Sequence, residues 1–167
     1  GLGHAARIGM VFERLGTRPR RVALVIPDSA AKVSLVRFDQ TPARRDDLDR
    51  LVRWQVRKSI PFAIDEATVS YTPGARLGDA ANGREFLVTL ARRSTVAEYE
   101  NVCADAGAHA GLVDLATTSL LNMFLSSAAP SGDWLLVHVR VDSTSIAILR
   151  GEDVIFYRNR AEGEEES

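Results

Sequence analysis

The side chains best suited to chemistry in this sequence are four polar residues in one short turn near its C-terminal end: Asp142, Ser143, Thr144 and Ser145. A polar turn between two strands can hold a phosphate through hydroxyl and backbone N–H donors. A magnesium–phosphate loop also needs a carboxylate at the end of the first strand and a glycine in the turn. His138 and Arg140 occupy those two positions. The sequence therefore favours a plain β-hairpin with a Ser/Thr turn, with a residual anion or nucleotide site as the alternative.

The other reactive side chains do not suggest a catalytic or metal site. The histidines lie in a terminus, a turn and a strand without metal-ligand spacing: His4, His109 and His138. Cys103 lies on an apolar helix stripe, which predicts a buried, inert thiol rather than a nucleophile. We therefore expect no catalytic residue, no metal and no cofactor.

Composition places the chain among globular proteins. It has 167 residues, 46% of them hydrophobic and 26% charged, with a net charge of -1. This balance gives no global field that would attract nucleic acid or an anionic membrane. One cysteine cannot form an internal disulfide, and no apolar run reaches the ~20 residues of a bilayer span. Without a signal-peptide pattern, the sequence predicts a cytoplasmic location.

Hydrophobic periodicity predicts a mixed α/β fold. Period-two and apolar runs predict strands at 21–27, 32–38, 67–73, 84–92 and 110–116, and further strands within 133–160. Apolar stripes near period 3.6 predict helices at 5–15, 41–60, 95–106 and 118–127. The strand at 21–27 is so apolar that we expect burial on both faces.

Two helix starts carry capping signals. Thr41 followed by Pro42 offers an N-cap hydroxyl and a proline at the first helical position, which predicts that a helix begins there. Thr95 and Glu98 have the spacing of a capping box. The basic residues that follow Thr41 alternate with aspartates, which indicates a solvated helix surface.

The order of elements divides the chain. Residues 32–116 read strand–helix–strand–strand–helix–strand, the order of a ferredoxin-like unit, and predict one four-stranded sheet with both helices on one face. Residues 1–31 and 117–131 are interpreted as pieces of one neighbouring lobe. Residues 132–167 are interpreted as the first strands of another lobe plus an acidic tail.

Two stretches resemble the type IV pilus assembly protein PilM family and the wider actin-like group that includes the cell-division protein FtsA. They are "VALVIPDSAAKVSLVRF" and "LDRLVRWQVRKSIPFAIDEATVSYT". The segment that follows the predicted helix, at residues 60–66, departs from the family's "IPFP" pattern only at Ala63. The resemblance covers about residues 21–158. It implies an actin-like fragment with an inserted subdomain of the SHS2 type at 32–116, between pieces of the first lobe and the start of the second.

The resemblance also bears on nucleotide binding. In the family the second phosphate loop lies where this chain has the turn after Trp134, and a first loop resembling "DIGSSSVK" precedes it. Residues 1–30 contain nothing like that first loop. Together with His138 and Arg140, this implies no ATP hydrolysis and no bound magnesium. A nucleotide-binding actin-like ATPase remains the alternative class.

The function implied by the resemblance is that of a cytoplasmic scaffold. PilM family proteins grip the N-terminal tail of the inner-membrane protein PilN in a groove between the first lobe and the inserted subdomain, and the type II secretion protein GspL has a related role. The residues expected to contact such a tail are Val25, Pro27, Asp28, Ser29, Leu35, Arg37, Trp54 and Phe62. For the two aromatic residues among them, the edge of the core is the competing interpretation. A third possibility is an orphan ferredoxin-like domain that dimerises through unpaired strand edges.

Overall fold

A computed structural model describes residues 3–78, 82–127 and 131–161. Within these ranges there are four α-helices: α1 (His4–Arg14), α2 (Arg45–Val56), α3 (Arg93–Asp105) and α4 (Ala116–Ser127). The same ranges contain eight strands: β1 (Arg21–Ile26), β2 (Ala31–Phe38), β3 (Ala67–Arg76), β4 (Arg84–Arg92), β5 (His109–Leu115), β6 (Asp133–Val139), β7 (Ser143–Arg150) and β8 (Asp153–Ala161). Among the described helices, none has the length and apolar character to cross a bilayer. The acidic tail at 162–167 lies outside the described residues.

The middle of the chain forms a three-stranded antiparallel sheet in the order β2–β4–β3, covered on one face by α2. Phe86, Val88 and Leu90 alternate along β4 and are buried in one cluster with Val52 and Val56 of α2. Successive strand residues point to opposite faces, whereas residues three or four apart share a helix face. The two periods in the sequence therefore bring these five side chains to the same side of the sheet.

The other face of β4 belongs to a second core. Leu87 of β4 and Val33 of β2 pack against a buried cluster that includes Leu121 of α4 and Leu149 of β7. The strand is consequently buried over most of its length on both faces. The central strand of the middle sheet thus separates two apolar clusters and contributes to each.

The predicted four-stranded sheet is wrong, although the mixed α/β class and the βαββαβ order of elements are confirmed. β5 does not join the middle sheet; it pairs in parallel with β1, from Arg21 opposite His109 to Ile26 opposite Leu115. A parallel pair needs a long crossover, and residues 27–108 supply it. The prediction of a doubly buried β1 is also wrong, since Val25 is 54% exposed. The division into lobes stays a prediction.

The C-terminal part forms a three-stranded antiparallel meander in the order β6–β7–β8. Along β7 the buried side chains alternate and face the second core: Ser143, Ser145, Ala147 and Leu149. β6 is an edge strand, and Leu135, Val137 and Val139 on its outward face are all more than half exposed. The outward face of β6 is therefore not covered by any described element.

Both capping predictions are wrong. α2 begins at Arg45 rather than at Thr41, because the amide and the hydroxyl of Thr41 both donate to the carbonyl oxygen of Asn82, at 3.1 and 2.7 Å. α3 begins at Arg93, so Thr95 lies inside its first turn and makes no side-chain cap. Tertiary hydrogen bonding and strand pairing have overridden the local signals at both places. Cys103 is buried, as predicted.

Candidate functional site

Two cavities adjoin beneath the edge strand β3. The first has a volume of about 160 Å³ and lies between β3, α4 and the β7–β8 turn. The second, of about 140 Å³, lies between β3, β4 and the ends of β1 and β5. Both are lined by Ser70, Thr89 and Asp114. We call the joined cavities the β3 groove.

Each end of the β3 groove has an apolar patch, and the first cavity is also lined by Thr72, Asn122 and Glu152. One end is lined by Leu87, Leu121, Leu125 and Val154, and the other by Ile26, Val96, Val113 and Leu115. Asp114 stands at the junction, where Oδ1 accepts from the Leu115 amide at 2.8 Å and from Thr118 Oγ1, and Oδ2 accepts from Ser119 Oγ at 3.0 Å. A carboxylate has about four acceptor positions, so Asp114 can accept a further donor from a bound molecule.

The backbone of β3 completes this site. Among the described strands, β3 pairs with β4 alone and is the last strand in the order β2–β4–β3. The opposite edge therefore offers backbone N–H and C=O groups that an extended peptide can pair with, while adjacent pockets accept its side chains. The β3 groove has the form of a site for an extended segment with apolar side chains.

A second polar constellation lies deeper, around the fully buried Asp28. Asp28 follows β1 in a short 3₁₀ turn and receives three hydrogen bonds from distant parts of the chain. The Thr117 amide donates to Oδ1 at 3.0 Å, Thr117 Oγ1 donates to Oδ2 at 2.6 Å, and Ser145 Oγ donates to Oδ2 at 3.1 Å. Because Thr117 lies in the first turn of α4, the carboxylate also interacts favourably with the positive end of that helix.

Side chains from β6 and β8 extend the cluster around Asp28. His138 Nδ1 lies 2.9 Å from Thr117 Oγ1 and 3.4 Å from Asp28 Oδ2. Asn159 Nδ2 donates to Ser145 Oγ at 2.8 Å. Tyr157 is buried beside them; burial, and then the nearby charge of Asp28, raise the pKa of its hydroxyl to about 12. The cluster thus joins the turn after β1, the start of α4 and all three strands of the meander.

The predicted nucleotide residues do not converge on a common point. Ser145 is committed to Asp28, and Ser143 is buried with its hydroxyl donating to Asp142 Oδ1 at 3.3 Å. Thr144 points to the opposite face of β7. Asp142 is exposed, and its hydrogen bond from Arg140 lowers the pKa of its carboxyl. The turn therefore presents the Asp142 carboxylate, already paired with Arg140, and not a set of hydroxyl donors directed at one phosphate.

No group of three or more His, Cys, Asp or Glu side chains capable of holding a metal occurs among residues 3–78, 82–127 and 131–161. The position that a magnesium loop would give to an acid carries His138, whose Nδ1 faces Thr117 and Asp28. These side chains do not fit a magnesium–nucleotide complex, because the carboxylate of Asp28 already accepts hydrogen bonds from Thr117 and Ser145 inside the protein.

The residues predicted to contact a partner are dispersed. None of the eight lines either cavity of the β3 groove. Asp28 cannot offer its carboxylate to a partner, because the side chain is fully buried and hydrogen-bonded; that prediction is wrong for its side chain. Around it, Val25 and Ser29 are exposed and Pro27 is half-buried. Their role in binding stays a prediction.

The remaining predicted contacts lie on the middle sheet and its helix. Leu35 is half-buried on β2, and Arg37 beside it is exposed and ion-paired with the buried Glu85. Phe62 packs against the core of the middle sheet with the Arg92 guanidinium 4.5 Å from its ring centroid. Trp54 is 58% exposed on α2, so the core-edge interpretation does not describe it.

The β3 groove and its aspartate were missed by sequence reasoning, although a signal is present. Polar residues alternate along β3 as Thr68, Ser70 and Thr72, which is the pattern of a strand with one polar face. Asp114 precedes a run of hydroxyl residues at the start of α4, a pattern typical of a helix N-terminus. Only the pairing of β5 with β1 brings these two signals together.

The fold of the chain is similar to the actin-like fold. A Bacteroides thetaiotaomicron protein with an actin-like ATPase fold and unknown function is similar over 96% of this chain and 56% of that one, with a TM-score of 0.50 and 14% identity. A solved PilM-PilN type IV pilus biogenesis complex is similar over 93% of this chain and 47% of that one, with a TM-score of 0.82 and 23% identity.

The family follows from the sequence match. Residues 5–166 match the family of the type IV pilus assembly protein PilM, and the chain belongs to that family. A comparison with curated proteins found no match. The chain spans about half the length of the solved structures to which it is similar.

Proposed function

We propose that this chain is a binding module of type IV pilus assembly, which takes the cytoplasmic tail of a PilN-like inner-membrane protein into the β3 groove and does not hydrolyse ATP. It would act in the cytoplasm and reach the inner membrane through that partner. The observation that carries the proposal is the β3 groove, which has apolar side chains at two separated places and lies beside a strand that pairs on one side only among the described strands. Family membership and the similarity to a PilM-PilN complex support it.

The lining of the β3 groove specifies the chemistry of the tail. The segment is extended, because it pairs with the edge of β3. Its side chains include apolar groups at two separated positions, matched to the leucine-lined end and to the end around Val113 and Leu115. A donor between them, either an amide or a cationic side chain, faces the remaining acceptor position of Asp114. The β3 groove is a different place from the surface expected from the sequence, which is formed by β1, the turn after it and β2 and which we call the β1–β2 surface.

A peptide from the cytoplasmic end of a PilN-like protein is expected to bind the chain with a Kd in the micromolar range, about -8 kcal/mol. Ser70 is exposed on β3 and lines both cavities. The change Ser70→Arg fills the groove and is expected to weaken binding by about tenfold or more, or 1.4 kcal/mol. Isothermal titration calorimetry measures both values.

The matched control is Val25→Arg, which places the same side chain at an exposed position on β1 outside the groove. Binding is expected to persist in this variant. If Val25→Arg abolishes binding and Ser70→Arg does not, the tail lies on the β1–β2 surface. If the folded wild-type chain binds no such peptide, the proposed function is wrong.

ATP with magnesium is expected to leave the melting temperature of the chain unchanged. His138 and the commitment of Ser145 to Asp28 leave no ligand set for the metal. A genuine site at a ligand concentration of about 100 Kd would add about 2.7 kcal/mol, which for a chain of this size raises Tm by about 5–10 °C. Differential scanning fluorimetry distinguishes these outcomes. A rise that disappears in Thr144→Val would establish the nucleotide-binding alternative.

A further inference from the structure

Four side chains form one stripe on the outward face of α2 and at its C-terminal end. Arg50, Trp54, Arg57 and Lys58 stand at i, i+4, i+7 and i+8 and are all exposed. Residues with this spacing share a helix face. The opposite side of α2 carries Val52, which is buried in the core of the middle sheet. We call the four residues the Trp54 stripe.

The Trp54 stripe combines an exposed indole with concentrated positive charge. The Arg57 guanidinium lies 4.7 Å from the centroid of the Trp54 ring, and Arg50 is paired with Asp47 on the helix surface. Lys32 adds a cation, since its Nζ donates to the carbonyl of Ser59 at 2.7 Å, just beyond the helix end. Asp46, Asp47 and Asp49 balance the arginines within α2, so the excess of positive charge lies at the C-terminal end of the helix, at Arg57, Lys58 and Lys32.

We propose that the Trp54 stripe docks on a membrane surface rich in anionic phospholipid. Trp54 is 58% exposed on the outward surface of α2 and does not line the β3 groove, so a deformable lipid interface can receive the indole without a preformed pocket. Tryptophan has an apolar body with one N–H donor and favours the boundary between headgroups and acyl chains. Cations next to it complement the negative surface potential of the leaflet, and each adds to binding. This site is separate from the β3 groove and does not depend on it.

The expected result is binding to vesicles of phosphatidylcholine mixed with phosphatidylglycerol, and none to vesicles of phosphatidylcholine alone. The variant Trp134→Phe leaves Trp54 as the single indole in the chain. Its fluorescence is expected to shift to the blue on adding the anionic vesicles, and sedimentation with the vesicles is expected to decrease as salt rises.

The variant Arg57→Glu/Lys58→Glu tests the stripe directly. Removing two cations and adding two anions is expected to lower the partition onto anionic vesicles by about tenfold or more. The matched control Arg18→Glu/Arg20→Glu makes the same charge change at exposed positions before β1 and is expected to retain most of the binding. Far-UV circular dichroism of both variants verifies the fold.

Three outcomes overturn the proposal. The first is wild-type protein that fails to bind anionic vesicles at low salt. The second is equal loss of binding in the two double variants, which would indicate a nonspecific charge effect. The third is binding of a polyglutamate peptide through Trp54 in protein that ignores the vesicles, which would assign the stripe to an acidic protein partner.

Discussion

Replacing Asp28 by alanine is expected to lower the free energy of unfolding by about 3–5 kcal/mol, because three buried donors lose their acceptor. The change leaves the Thr117 amide, the Thr117 hydroxyl and the Ser145 hydroxyl without their acceptor inside the protein. Each buried donor without a partner costs about 1–3 kcal/mol. Urea unfolding followed by circular dichroism measures the loss.

Two further variants separate the effect of Asp28 from that of any carboxylate. Asp28→Asn keeps the shape and one acceptor oxygen, so its loss of stability is expected to fall between those of wild type and alanine. Asp142→Ala removes an exposed carboxylate that is paired with Arg140 at the surface, and the urea midpoint is expected to remain close to that of wild type. Similar midpoints for Asp28→Ala and Asp142→Ala would show that the buried cluster does not stabilise the fold.

Replacing Leu90 by alanine is expected to cost about 2–5 kcal/mol. Leu90 is 1% exposed and packs in the same cluster as Val52, Val56 and Phe86. The loss combines the transfer free energy of the removed methyl groups with the cavity that they leave. The same unfolding experiment measures it, and the denaturant dependence (the m value) is expected to remain unchanged.

The matched control is Leu112→Ala, another leucine in a strand, which is 60% exposed on β5. A surface substitution of this kind is expected to change stability by no more than about 0.5 kcal/mol. Equal losses for the two leucine variants would contradict the packing of α2 on the middle sheet, since only Leu90 lies in that cluster.

Local patterns in the sequence predict the elements better than their pairing. The alternation of Phe86, Val88 and Leu90 and the helical spacing of Val52 and Val56 identify β4, α2 and the core that they share. The partner of β5 could not be obtained in this way, because parallel pairing joins strands far apart in the sequence and leaves no local mark. Capping signals at Thr41 failed because a long-range contact with Asn82 uses the same groups.

The candidate site depends on this long-range pairing even more than the fold does. The resemblance to the PilM family pointed to Asp28 as a partner contact, but the sequence could not show that Thr117 and Ser145 would enclose the carboxylate. The β3 groove likewise forms only when β5 lies beside β1 and brings Asp114 under the edge of β3. A single sequence gives each residue's chemistry, whereas these two sites arise from residues that meet across separate sheets.

The position of β4 between two cores has a consequence for how this protein tolerates change. In most half-exposed strands, every second residue can vary in size because solvent fills the difference. In β4, a larger or smaller side chain at Val88 displaces α2, and one at Leu87 displaces α4 and the meander. Substitutions in β4 are therefore accepted only together with compensating changes in the cluster that the side chain enters. Redesign of one cluster has to keep the volume of the β4 side chains that face the other cluster.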